Sequence, residues 1–488
     1  MLDEAINYKE KYEDMFVKYT HLQNELDQLK RFVFGSRHER FVPSAPQEQL
    51  ALGLNVVANA AASRATEAIS YTRTKATTSE KVNTGRMKLP ADLPREQVII
   101  EPREDVSGMK EIGKEITEEL EYTPGKLYVK QYVRLKYARV NGEGIVIGEL
   151  PSRPIDKGIA GPGLLAQIII DKYTDHLPIH RQIQRYEREG IKLSSSTLTD
   201  WISATCELLD PLYEVLRKEV LCSDYLQADE TPIKVLDKAK KGTTHRGFHW
   251  VYRSPVKGMV LFDYREGRGR EGPQECLRDF KGYLQTDGYT VYEDFGSKSG
   301  ITLLHCMAHA RRKFDEARGN DQVRSEYALT EIQKLYAVER EAKKGAITSE
   351  HLYALRQQKS IPVLESLKEW MIENYKSVLP QSPIGQAIFY SLHRWDKLKH
   401  YTTNSKLEID NNLVENAIRP VAIGRKNYLF AGSHNGARRA AMLYSFLGTC
   451  KINGINPVEW LRDILFKIPT HPVNKLQELL PSQWNSKM

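Results

Sequence analysis

The stretch YLQADETPIKVL, residues 225–236, decides the fold. It alternates like a half-buried β-strand, yet it carries an acidic pair, Asp229 and Glu230, at its middle. Successive side chains on a strand point to opposite faces, so only one of the two carboxylates can serve a given site. Asp229 shares its face with Thr231, and Glu230 is expected to face away.

Working outward, GFHWVYRS (247–254) and GMVLFDYRE (258–266) read as two further strands. They follow the basic hairpin turn DKAKKGTTHR and the short link PVK. GPQECLRDF (272–280) suits a helix, GYLQTDG (282–288) a fourth strand ending at Asp287, and GITLLHCMAH (300–309) a fifth. From about 308 to 400 the chain reads as helical, then come IDNNLVENAIRPVAIGRKNYLFAGS (409–433) and a helical C-terminus. Three antiparallel strands, a helix, then further strands and helices predict an α/β fold, a ribonuclease-H-like core with a helical insertion. Its first and fourth strands would lie side by side, bringing Asp229 and Asp287 to one edge.

The third acid is Glu415. Asp410, Asn411 or Asn412 can cap its helix, with Asp410 the better placed, and helical spacing puts Asn412, Glu415 and Arg419 on one face. Three converging carboxylates repel unless a cation neutralises them. Hard oxygen ligands suit Mg²⁺ or Mn²⁺, and two such ions about 3.5–4 Å apart can act on a phosphodiester. Taken singly, each acid also reads as structural: Asp229 as a hairpin residue, Glu415 as a solvated helix residue.

Upstream, Tyr8, Tyr12, Met15, Tyr19, Leu22, Leu26, Leu29 and Val33 form a heptad seam, which predicts an N-terminal coiled coil over 1–41 and at least a dimer. Residues 42–86 read as a flexible linker, 87–155 as a small β-rich module, and 156–221 as a helical, helix-turn-helix-like DNA-binding region. A mere packing connector is the rival reading of that region. Its third helix would be capped by Ser195 or Ser196. The catalytic domain would span 222–430, with the helical segment 431–488 after it.

A net charge of +8 favours a polyanionic partner. Arg419, Arg425, Lys426, Arg438, Arg439 and Lys451 follow Glu415 with no further acid among them, and Arg311, Arg312 and Lys313 follow the fifth strand. Both groups are candidates for phosphate contact, with a solvated basic face as the alternative. The five cysteines form no CxxC, so no disulfide framework or zinc site is expected, and His305, Cys306 and His309 read as packing or hydrogen-bonding groups. No apolar run reaches the ~18 residues of a membrane span, which points to a soluble protein of a reducing cytoplasm.

ADETPIKVL, LQTDGY, HCMAHARRKF and above all LEIDNNLVENAIRPVAIGRKNYLFAGS (407–433) resemble the insertion sequence 66 family of DDE transposases. So do the block GPGLLAQIIIDKYTDHLPIHRQIQRYEREGIKLSSSTLTDW (161–201) and the zipper-like N-terminus. The resemblance implies that Asp229, Asp287 and Glu415 are the catalytic triad and metal ligands, with the insertion placed before the glutamate. It also implies cleavage of element ends and strand transfer into double-stranded target DNA, with companion proteins of the same element as possible partners. Many family members carry a cysteine-rich zinc module after the coiled coil, whereas residues 89–150 here hold no cysteine. The rival functions are a non-catalytic DNA-binding regulator and a metal-dependent nuclease of the same fold. In the cell such a protein would sit on the nucleoid when bound to DNA.

Overall fold

The computed structural model describes residues 152–484 apart from 157, 237–241, 298–299 and 346, and before them only residues 15, 18, 19, 22, 125, 127–129, 136–138 and 145–147. The linker and most of the coiled coil and β-rich module lie outside the described residues; of the seam, Met15, Tyr19 and Leu22 are helical and exposed. The chain divides into two compact units, Ser36–Gln131 and the remainder. The described residues of the former have no regular structure. In the latter, strands β1 (Lys136–Ala138) and β2 (Ile145–Ile147) pair antiparallel.

Three helices follow, α1 (Pro162–Tyr173), α2 (Ile179–Arg188) and α3 (Ser195–Leu221). The cap of α3 is Ser194, not Ser195 or Ser196: its backbone is extended and its Oγ accepts the Thr197 N–H at 3.0 Å. Leu198, Trp201, Leu209 and Leu216 bury one side of α3, and the exposed side carries Asp200, Glu207, Asp210 and Glu214. Phosphates are repelled by such a flank, so α3 is built as a core helix along most of its length.

The main sheet has five strands: β3 (Tyr225–Leu236), β4 (Thr244–Ser254), β5 (Met259–Arg265), β6 (Gly282–Thr286) and β7 (Ile301–His305). Helix α4 (Glu271–Cys276) precedes β6, and α5 (Thr290–Glu293) lies between β6 and β7. The spatial order is β5-β4-β3-β6-β7, with β4 antiparallel to both β3 and β5, and with β6 and β7 parallel to β3. The expected basic turn after β3 is shorter than its sequence suggests, because Thr244, His245 and Arg246 pair with Leu236, Val235 and Lys234. The fifth strand also ends earlier than expected: Cys306 is a helix cap, so His309 belongs to the next helix.

Beyond β7 come α6 (Met307–Glu316), α7 (Gln322–Gly345), α8 (Ser349–Leu355), a π-helical turn (Arg356–Ser360), α9 (Ile361–Tyr375), α10 (Pro383–His393) and α11 (Trp395–Lys399). The chain then forms α12 (Asn412–Tyr428), α13 (His434–Ile452) and α14 (Pro457–Lys467). Two cores sandwich the sheet. One, running from Ala160 to Leu480, includes Leu226; the other, in the helices after β7, includes Tyr225. Adjacent residues of one strand thus enter opposite cores, as strand alternation requires. The first core joins residues on both sides of 221 and of 430, so those sequence boundaries do not separate packed units.

Strand β5 lies at the sheet edge, where unpaired N–H groups invite wrong pairing. Helix α13 covers it: Thr449 Oγ1 accepts from Val260 N at 3.2 Å and Ser445 Oγ from Phe262 N at 2.8 Å. Gly448 permits that approach, since a Cβ there would stand 2.7 Å from Val260 Cγ1.

Candidate active site

Asp229 sits at the middle of β3 and Asp287 directly after β6. The two strands pair in parallel with Leu226 opposite Leu284 and Gln227 opposite Gln285, an offset of 58 residues. Asp229 and Asp287 have the same offset, so they leave neighbouring strands at the same level and on the face of Gln227 and Gln285. Glu415 occupies the first turn of α12.

The acids affect one another. Burial pushes the Asp229 carboxyl up to about 8, and the charges of Glu230, Asp287 and Glu415 push the same way; only the Glu230 N–H, 2.7 Å from Asp229 Oδ1, opposes them. His309, on α6, has its Nε2 3.8 Å from Glu415 Oε1. Burial lowers its affinity for a proton, against the pull of Asp287 and Glu415. Among the described residues no three His, Cys, Asp or Glu side chains are gathered tightly enough to hold one ion together.

The loop of Asp287 is held from two sides. Its Oδ1 accepts the Tyr289 N–H at 2.8 Å, and its carbonyl accepts the Tyr390 hydroxyl of α10 at 2.8 Å. Arg394 donates to the Gly288 carbonyl at 3.3 Å, and a side chain at Gly288, whose φ is +87°, would meet Arg394 Nε at 2.7 Å. The helices after β7 therefore brace this acid. At α12 the N-cap position is Asn411, which makes no side-chain cap bond, and Asp410 one residue earlier supports the helix start instead: its Oδ1 accepts the Asn412 N–H at 3.1 Å, while Tyr336 and Asn412 Nδ2 hold its Oδ2.

Glu230 is not remote from the site. Its side chain is 4% exposed, it is paired with Arg268, its charge helps raise the Asp229 carboxyl, and burial together with the charge of Asp287 raises its own. Arg268 lies 4.1 Å from the Tyr289 ring centre, so Glu230, Arg268 and Tyr289 form one rim. Strand alternation hid this: the faces differ, but the residues adjoin. His305 pairs with Glu293 at 3.3 Å, and Cys306 Sγ accepts from Asn411 N at 3.4 Å.

The basic candidates separate by their partners. Arg419, Lys426, Arg311 and Arg312 are exposed. Arg425 is half-buried and donates to the Pro232 carbonyl, anchoring α12 to β3. Arg438 pairs with Glu266 at 3.4 Å, Arg439 with Glu207 at 3.7 Å and Lys313 with Glu316 at 3.3 Å. Arg438 and Arg439 line an open cavity of about 770 Å³ that contains none of the three acids.

Residues 157–439 match the family described as Transposase IS66 family. The chain belongs to the IS66 family of transposases. This IS66 chain also matches the IS66 C-terminal element over residues 445–482 and, over 21–98, a model described as Transposase C of IS166 homeodomain. It is 32% identical over 502 residues to the uncharacterized protein y4hP of Sinorhizobium fredii (strain NBRC 101917 / NGR234), covering 95% of this chain and 88% of that one. It is 32% identical over 493 residues to y4qI of the same strain, covering 96% and 89% respectively. No solved structure matches it. An IS66 chain of this kind is an insertion-sequence transposase. Among the described residues no helix is long and apolar enough to cross a membrane.

Proposed function

We propose that this chain cuts DNA at the ends of its element and joins the freed 3′-hydroxyl to target DNA, with Asp229, Asp287 and Glu415 as the reacting centre of a ribonuclease-H-like sheet. The observation that carries this reading is that Asp229 and Asp287 each lie two residues beyond the paired glutamines of β3 and β6, with the charges of Asp287 and Glu415 both reaching the Asp229 carboxyl. The strand order β5-β4-β3-β6-β7 supports the fold assignment.

The carboxyl set suits Mg²⁺ or Mn²⁺: all three donors are hard oxygens, and the burial and neighbouring negative charges that raise the Asp229 carboxyl are what a cation would offset. Asp229, Asp287 and Glu415 would hold two such ions. When bound, these activate the attacking oxygen and stabilise the leaving one. His309 flanks Glu415. Arg419, Lys426, Arg311 and Arg312 would take DNA phosphates, because exposed guanidinium and ammonium groups can reach a backbone without first breaking an internal pair. In the region before the sheet, α2 is better suited than α3 to contact DNA, since its exposed side carries His180, Arg181, Gln184 and Arg188. The N-terminal heptads would join two protomers so that both ends are handled together.

The test is divalent-metal-dependent cleavage and joining of a duplex bearing the element's end, with companion proteins of the element supplied. Wild type is compared with Asp229→Asn, Asp287→Asn and Glu415→Gln. All three substitutions are expected to abolish both steps while end binding persists. Binding without cutting by the wild type would replace this reading with that of a regulator; cutting without joining would make the chain a nuclease.

A further inference from the structure

One Leu-Gln-x-Asp pattern occurs twice, as Leu226-Gln227-Ala228-Asp229 in β3 and as Leu284-Gln285-Thr286-Asp287 at the end of β6 and just beyond it, and the leucines and glutamines pair in register. Each glutamine precedes its aspartate by two residues, so it shares that aspartate's face. Both glutamines are fully buried, where an amide is costly unless its groups are bonded.

Their partners are the segment that delivers the third acid. Gln227 Oε1 accepts the N–H of Val414, next to Glu415, at 3.2 Å, and its Nε2 donates to the Asp410 carbonyl at 2.9 Å. Gln285 Nε2 donates to the Glu408 carbonyl at 2.9 Å. The two amides are joined directly, Gln227 Nε2 to Gln285 Oε1 at 2.9 Å, and the Tyr225 hydroxyl bonds Gln285 Oε1 and the Glu408 N–H. The Val414 N–H also lies 3.1 Å from the Asn411 carbonyl, so Gln227 is a second acceptor that ties the first turn of the Glu415 helix to the strand.

We propose that Gln227 and Gln285 are positioning residues: a paired amide clamp that locks residues 408–414 onto β3 and β6 and so fixes Glu415 against Asp229 and Asp287. This rests on the three acids acting together on divalent cations. The clamp lets one element of sequence, read twice, place all three acids. The aspartates follow directly from the strands, and the glutamate follows through the amides. Neither amide reaches the reacting atoms.

The test uses the full chain with Gln227→Leu and, as an independent lesion, Gln285→Leu. Two readouts are taken: amide hydrogen exchange across the protein, and Mn²⁺ binding followed by the loss of the free-ion paramagnetic signal. The expected result is faster exchange confined to residues 408–415, with β4 and β5 unchanged, and Mn²⁺ affinity weakened by about tenfold or more. In a Glu415→Gln background the same substitutions should weaken Mn²⁺ no further, because their effect passes through that carboxylate. Wild-type exchange at Val414 and Glu415 in both variants would overturn the clamp, as would a further loss of affinity in the Glu415→Gln background. If the wild type binds no Mn²⁺, or Asp229→Asn binds it equally well, the three-acid reading fails instead. If one leucine variant does not fold, the other carries the comparison.

Discussion

Replacing Asp229 by Asn should stabilise the protein in metal-free buffer at alkaline pH, although it removes the central acid of the proposed site. In the fold the Asp229 carboxyl rises from 3.8 to about 8. An acid with a raised pKa favours the folded state below its unfolded pKa, and that advantage is lost as pH rises through the folded value. The penalty on the wild type therefore grows between about pH 4 and about pH 8 and is constant above. At ~1.4 kcal/mol per pH unit the ceiling is about 6 kcal/mol. Asp229 keeps partial access to solvent and already accepts the Glu230 N–H, so water and that bond reduce the relief to about 2 kcal/mol. For a chain of this size that corresponds to a rise in Tm of about 2 °C above pH 8, vanishing near pH 4. Scanning calorimetry in chelator across this range measures it. Adding Mg²⁺ should raise the Tm of the wild type and not of the variant. A variant no more stable than the wild type at pH 8.5, or a difference that does not change with pH, would refute the burial and crowding of this carboxyl.

Three further outcomes follow from the packing. Gly448→Ala should cost about 1–3 kcal/mol in denaturant unfolding, because its Cβ would stand 2.7 Å from Val260 Cγ1. Arg356→Met should cost about 3–5 kcal/mol by the same measurement. It leaves buried Glu339 unpaired and frees the carbonyls of Tyr401, Asn404 and Leu407. In DNA titrations at several salt concentrations, Arg419→Ala and Lys426→Ala should each reduce the salt slope by about 1 without lowering Tm, whereas Arg425→Ala should lower Tm by freeing the Pro232 carbonyl.

Much of the site was legible in the residues. The bounds of β3 coincide with the quoted stretch, since its alternation is strong and polar residues bracket it. Asp287 stands at the end of β6 because Gly288 turns the chain there with a positive φ. The repeated Leu-Gln-x-Asp tetrad was also in plain view, and it is the signal that could have found Gln227 and Gln285. What made it hard to read is that a buried glutamine has no meaning until its partner is known, and its partners are backbone groups of residues 408–414. The roles of the basic residues were equally hidden. Arg419 and Arg425 look alike in sequence, but one is exposed and the other is taken up by a strand carbonyl.

The sequence by itself determined the local elements, the order of strands along the chain, the candidacy of the three acids and the excess of positive charge. These depend on side-chain alternation, turn residues and composition, which act over a few residues. Tertiary structure decided the register that levels Asp229 with Asp287, the bracing of the Asp287 loop by Tyr390 and Arg394, and the docking of the Glu415 helix through two buried amides. Each of these joins groups far apart in the chain. Their free energy exists only once water is excluded between them, so no local pattern records it.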